Sequence, residues 1–141
     1  MTLTNSADAA AGNGPRDLGR EGETLAARFL IQRGMRIVAC NVRVPVGRAR
    51  TGGRVHGEID IVAFDGPTLV FVEVKTRTTD AVAAPERAVT TAKQRRLRRA
   101  AHRYRALIGP AEAPYRFDVA TVVWPPAGPP AIQLLKDFFR P

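Results

Sequence analysis

The sequence predicts one small α/β domain, a central β-sheet with helices packed against it. Two helical runs frame a pair of alternating strands, and a β-branched segment follows the second helix. Elements interleaved in this order suit a sheet covered by helices. At 141 residues the chain is long enough for one hydrophobic core.

Residues 1–14 (MTLTNSADAAAGNG) are small and polar and read as a disordered tail, leaving 15–141 as the domain. From about Asp17 to Arg33, Leu18, Gly22, Leu25, Ala26, Phe29 and Leu30 recur at helical spacing, and Gly34 suits the stop. Arg36 to Asn41 reads as a short strand. Periodicity then fails from Arg43 to Gly57, where Arg43, Arg48, Arg50 and Arg54 stand among glycines. Such a stretch is either a mobile basic loop or an irregular hairpin. Two strands follow, Glu58 to Phe64 and Leu69 to Lys75, joined by Asp65-Gly66-Pro67-Thr68. After a loop, a long helix is expected from Pro85, suited to a first turn, to about Ile108. Phe117 to Trp124 is a β-branched strand, and Ile132 to Leu135 a last edge strand beyond a proline-rich turn.

Charge narrows the partners. Lys and Arg number 22 against 13 Asp and Glu, a net charge of +9 that favours polyanions. An anionic membrane surface is a poor match, because the basic second helix lacks a broad aromatic or leucine face. No apolar run approaches the roughly 20 residues that span a bilayer. The N-terminus lacks a secretory pattern, so a cytoplasmic protein is expected. Cys40 is the sole cysteine, beside only His56 and His102, which rules out an internal disulfide and argues against structural zinc.

The chemistry lies in the two central strands. Alternation puts Ile59, Ile61 and Ala63 on one face with Val70, Val72 and Val74. The other face carries Glu58, Asp60, Val62 and Phe64, with Leu69, Phe71, Glu73 and Lys75. A four-residue loop from Asp65 to Thr68 then pairs Phe64 with Leu69, Val62 with Phe71, Asp60 with Glu73 and Glu58 with Lys75. Two carboxylates directly opposite repel, and a divalent cation would offset that repulsion. With Lys75 on the same face, the group has what phosphodiester hydrolysis requires. The competing reading is a surface ion-pair ladder of little energetic consequence.

The helices bear on the choice. Glu23 falls at the border of the first apolar stripe, where it either looks across at the sheet or serves the helix dipole as a first-turn acid. In the second helix the stripe is Val89, Leu97, Ala100, Tyr104 and Leu107 or Ile108, and Lys93 lies on it. That lysine either snorkels outward or faces an anionic site. Basic residues that include Arg95, Arg96, Arg99 and Arg103 cover the other faces, with no acid between Lys93 and Ile108. The surface suits contact with a phosphate backbone, which carries no sequence specificity.

Several blocks occur in a familiar order: Gly19-x-x-Gly22-Glu23-x-x-Ala26, Gly34, Asn41, Gly57-Glu58-Ile59-Asp60, Phe71-Val72-Glu73-Val74-Lys75-Thr76-Arg77, Lys93, and Arg116-Phe117-Asp118-Val119. From about residue 16 onward the chain resembles the YraN-type family of small bacterial proteins. That family is similar to archaeal Holliday-junction resolvases and to the PD-(D/E)xK, or restriction-endonuclease-like, superfamily. The resemblance implies a central mixed β-sheet flanked by α-helices. It implies Asp60, Glu73 and the Val74 carbonyl as ligands of Mg²⁺ (or Mn²⁺), Lys75 as the catalytic lysine and Glu23 as a supporting acid. Arg77 and Lys93 match positions facing phosphate; the stretch that holds Arg48 and Arg50 would either extend the nucleic-acid contact or be tolerated surface filler. Asp118 also matches, but a structural hydrogen bond explains it equally well. Ile59 stands where the superfamily has proline, and the Arg43 to Gly57 stretch is longer than the family leads one to expect. The expected function is a metal-dependent endonuclease on DNA, structured or branched, with a homodimer as the form such symmetric substrates would suit. The alternative is a non-catalytic nucleic-acid-binding protein with a vestigial site.

Overall fold

A computed structural model describes residues 15–78, 89–108, 110 and 112–140. The elements run α1 (Pro15–Gln32), β1 (Arg36–Arg48), β2 (Arg54–Asp65), β3 (Thr68–Thr78), α2 (Thr91–Leu107), β4 (Tyr115–Trp124) and β5 (Ala131–Phe139). They form one five-stranded sheet in the order β1-β2-β3-β4-β5. Every neighbouring pair is antiparallel except β3 and β4, which are parallel and joined through α2. The fold is thus a mixed sheet flanked by helices in a restriction-endonuclease-like arrangement. The expected tail at 1–14 lies outside the described residues.

Each sheet face has its own core. On one, α2 buries Leu97, Ala100, Ala101 and Tyr104 against Ile59, Val62, Leu69, Phe71, Phe117 and Val119. Phe71 is the hub, with the Tyr104 ring edge-on at 5.9 Å and Phe117 at 5.6 Å, while Phe117 stacks on Phe139 at 4.5 Å. On the other face, α1 presents Ala26 and Leu30 to Ile61, Ala63, Val70, Val72, Ala120 and Val122. Helix α1 ends as its sequence implies: Gly34 takes φ +87°, and the Met35 N–H reaches back to the Leu30 carbonyl at 3.0 Å.

Two glycines let the helices come close. A Cβ on Gly22 would lie 2.0 Å from Thr76 Oγ1, so α1 meets β3 where only glycine fits. A Cβ on Gly57 would lie 2.8 Å from the Ala100 Cβ, which brings α2 equally close to β2.

Several expectations need correction. The basic stretch after Asn41 is the irregular hairpin, not a loop: β1 continues to Arg48 and β2 begins at Arg54. Pro45 is tolerated because β1 is a sheet edge, and register shifts at 37/39 and 45/47 blur the alternation. The turn into β3 is shorter than four residues, since Asp65 already pairs with Thr68 around Gly66, φ +57°, and Pro67. Helix α2 starts later than Pro85. Thr90 is its N-cap, its hydroxyl accepting from the Lys93 N–H, and Val89 and Thr90 are not helical; residues 85–88 lie outside the described residues. Leu107 and Ile108 are exposed and do not extend the apolar stripe.

Candidate active site at a strand fork

The β2–β3 ladder runs from Asp65–Thr68 to Ile61–Val72 and stops there. Phe64 pairs with Leu69 and Val62 with Phe71 as expected, but Asp60 with Glu73 and Glu58 with Lys75 are not ladder pairs. Beyond Ile61 the strands part, and the face alternation of β2 breaks as well. Ile59 packs with the α2 core, whereas Ile61 packs with the α1 core. Between the Cys40–Ile61 and Val42–Ile59 pairs, Asn41 of β1 falls opposite Asp60 with φ +52°. A left-handed residue bends an extended strand, and asparagine tolerates it better than most side chains.

Asp60 therefore sits in the mouth of a fork instead of on a flat sheet. Its Oδ2 accepts the Val74 N–H at 2.8 Å, so the side chain occupies the place of a missing strand carbonyl. The N–H and C=O of a strand residue point to the same side, so the Val74 carbonyl also faces the fork. Glu73, next along β3, is buried to 4 % exposure, and both Lys93 Nζ from α2 and Lys75 Nζ, at 3.8 Å, pair with its Oε1. Glu58 turns instead to Arg43 of β1, with Arg43 Nε 3.8 Å from Glu58 Oε1.

The electrostatics follow from this crowding. Burial, then the Glu73 charge, push the Asp60 carboxyl from an ordinary 3.8 up to about 7, against the Val74 hydrogen bond. Glu23, half-buried on α1, is raised by burial and by the Asp60 charge, while a hydrogen bond with Asn41 works the other way. Burial and the neighbouring Lys93 ammonium lower Lys75. In Lys93 burial is outweighed by Glu73, and its proton is held more tightly than usual.

Glu23, Asp60, Glu73, Val74, Lys75 and Lys93 thus come together from α1, β2, β3 and α2. Arg77 lies two residues beyond Lys75 on the same face of β3, half-buried. Arg48, Arg99 and Arg103 lie apart from the fork, lining a groove between the β1–β2 hairpin and α2. Arg50, Arg95 and Arg96 are exposed and line neither that groove nor the small cleft beside Asp60. Asp118 is structural. Fully buried, it accepts Arg116 Nε at 3.0 Å and the Asp137 N–H at 2.9 Å, far from solvent. Sequence reasoning gave no role to Asn41, although it stands among the blocks that carry the resemblance and interrupts an apolar strand.

Among the described residues no three His, Cys, Asp or Glu side chains are grouped to hold a metal ion. The fork does offer a pair of carboxylates, and Mg²⁺ typically takes one or two with water completing its shell. All available donors are oxygens, the class that Mg²⁺ and Mn²⁺ prefer. The high proton affinity of Asp60 is that of a buried carboxylate crowded by a second one. The donor set fits such an ion.

The fold is that of a small α/β protein and is consistent with a nuclease-like architecture. The family profile described as "Uncharacterised protein family UPF0102" matches residues 22–122, and the chain belongs to that family, the YraN type. It is 45 % identical over 125 residues to a UPF0102 protein of Symbiobacterium thermophilum, covering 89 % of this chain and 98 % of that one. A UPF0102 protein of Desulfosudis oleivorans is 44 % identical over 110 residues, covering 78 % and 81 %. One from Geotalea uraniireducens is 39 % identical over 125 residues, covering 89 % and 91 %. The matched region contains the fork, Asn41 and Lys93.

Proposed function

We propose that this protein is a Mg²⁺- or Mn²⁺-dependent endonuclease of the PD-(D/E)xK type that hydrolyses phosphodiester bonds in DNA, structured or branched DNA in particular. One observation carries the reading: Asp60, Glu73 and Lys75 converge where β2 leaves β3, with Glu23 behind Asp60 and Lys93 on Glu73. Asp60 and Glu73, with the Val74 carbonyl, are the groups to hold the ion. When bound, such an ion polarises a phosphoryl oxygen and lowers the pKa of water.

The chain's own groups supply the rest. Lys75 is the lysine whose grip on its proton is loosened, which suits it to steady charge on phosphoryl oxygens or to pass a proton to a departing sugar oxygen. Lys93 keeps its charge and holds the Glu73 carboxylate in place. Glu23 adds negative charge behind Asp60, which favours a cation over a proton in the fork once the pH exceeds about 7.

A second reading is favoured by the Lys93–Glu73 pair itself, which satisfies Glu73 without any metal. On that reading the protein binds nucleic acid and does not cut it. Linear, single-stranded, flapped and four-way DNA incubated with and without Mg²⁺ or Mn²⁺ separates the two. The nuclease reading requires divalent-dependent cleavage of at least one substrate, abolished by Asp60→Asn and by Lys75→Ala. Salt-sensitive binding with no cleavage under any of these conditions selects the second reading.

A further inference from the structure

Away from the fork, the β1–β2 hairpin and α2 enclose an open groove of about 720 Å³, floored by Pro45, Val46 and Gly47. Its polar lining is Arg48, Arg54, Arg98, Arg99 and Arg103, with His102. No acid occurs in either wall: the sequence has none from Arg36 to Gly57, and none from Thr91 to Leu107. Three of the five guanidinium groups are held by carbonyl oxygens instead. Arg99 Nη2 donates to the Val46 carbonyl at 2.7 Å, and Arg48 Nη1 to the Gly52 carbonyl at 3.2 Å. Arg98 Nε donates to the Arg140 carbonyl at 2.8 Å, and its guanidinium lies over the Phe139 ring at 5.2 Å. A carboxylate partner would fix a guanidinium and cancel its charge; a carbonyl fixes it and leaves the charge in place.

We propose that this groove is a second, non-catalytic polyanion site that holds the phosphodiester backbone of DNA a few base pairs away from the fork. Its role as the outer hold of a cutting site rests on the nuclease reading, whereas its binding of DNA does not. The spacing follows from α2. Lys93 stands at the fork, and Arg99 to Arg103 lie six to ten residues further on, roughly 9–15 Å at 1.5 Å per residue. At about 3.4 Å of axis per base pair, that is roughly three to four base pairs of duplex. The hairpin supplies Arg48 and Arg54, so the Arg-rich stretch of the sequence forms one wall.

The test is fluorescence anisotropy with a labelled DNA duplex of about two turns (roughly 20 base pairs) in EDTA, across a series of NaCl concentrations. The protein is compared with Arg48→Glu/Arg54→Glu and with Arg28→Glu/Arg33→Glu, which makes the same charge change on α1 and the turn just after it. Circular dichroism confirms that both variants fold. The groove variant should bind at least about tenfold more weakly, and its log–log salt slope should fall by about 2, one for each lost phosphate contact. Equal weakening by both variants, or none by the groove variant, overturns the proposal. So does tighter binding to vesicles containing phosphatidylserine than to the duplex, lost in the groove variant, because the groove then serves a lipid surface. Binding is read without divalent ion, so a protein that binds through the groove but never cuts sinks the nuclease reading and leaves this one standing.

Discussion

The Asp60 carboxylate stands where the pairing of β2 with β3 stops and accepts the Val74 N–H at 2.8 Å, a side chain in the position of a backbone acceptor. The same group is thus both a candidate ligand and part of the sheet. Asp60→Asn keeps an oxygen for Val74 and removes the charge that crowds Glu73, so it should raise the metal-free melting temperature by a few degrees. Asp60→Ala leaves that N–H without its acceptor and should cost about 1–3 kcal/mol. Mg²⁺ should raise the melting temperature of the parent protein and of neither variant. Thermal denaturation with and without Mg²⁺ reads all three, and equal stability of the two variants would count against the hydrogen bond.

Stability should depend on pH through the same carboxyl. The folded protein raises Asp60 from 3.8 to about 7, so the fold holds this proton more tightly than the unfolded chain does. Its contribution is therefore fully present below about pH 4 and is lost as the pH rises through about 7, a change worth at most about 4 kcal/mol. Glu23, raised for related reasons, acts in the same direction. Urea denaturation from about pH 5 to 8 should show the metal-free protein losing ground against Asp60→Asn as the pH rises. Added Mg²⁺ should flatten the difference, because ion and proton compete for one carboxylate. A constant difference across the range would contradict the crowding.

Gly22→Ala should destabilise the protein, although alanine is the better helix former. The new methyl meets Thr76 Oγ1 at 2.0 Å and must drive α1 off β3, at a cost of about 1–3 kcal/mol. Thr76→Ala removes the obstructing hydroxyl and should recover most of that loss. A double-mutant cycle with no coupling between the two would show that the close approach is not there.

Asn41 should tolerate glycine better than alanine. At φ +52° an alanine bears a left-handed cost of about 1–2 kcal/mol, which glycine avoids. Both substitutions remove the hydrogen bond that restrains Glu23, so both should raise the pKa of its carboxyl further. Carbon-detected NMR titration of Glu23 reads the second effect independently of stability. An unchanged Glu23 in both variants would remove Asn41 from the site.

Much of this arrangement is written in alternation. Val70, Val72 and Val74 face one core, Leu69 and Phe71 the other, and this pairing of faces fixed the register of β2 on β3 correctly as far as Ile61. Alternation cannot tell where a ladder ends, and so Asp60 and Glu73 read as a flat cross-strand pair. The break depends on a backbone angle at Asn41, a strand away, and on a side chain replacing a carbonyl. The groove was hidden for another reason. Val42, Val44 and Val46 do alternate, but Pro45, Gly47 and a register shift interrupt them, so the stretch read as either a loop or an irregular hairpin. That Arg54 lines one groove with Arg98 and His102 of α2 emerges only once α2 is docked through Gly57 and Ala100.

The paired glycine contacts have a bearing on motion. Through Gly22 and Gly57 two helices grip opposite faces of the sheet, one on each strand that borders the fork. Amide protons at Val70 and Val72, bound within the ladder, should exchange with solvent only when the whole domain opens. The Val74 amide is tethered to a carboxylate instead of a neighbouring strand, so its exchange should follow the charge on Asp60. In a clamped sheet, one backbone proton would then report the ionisation of the site from within.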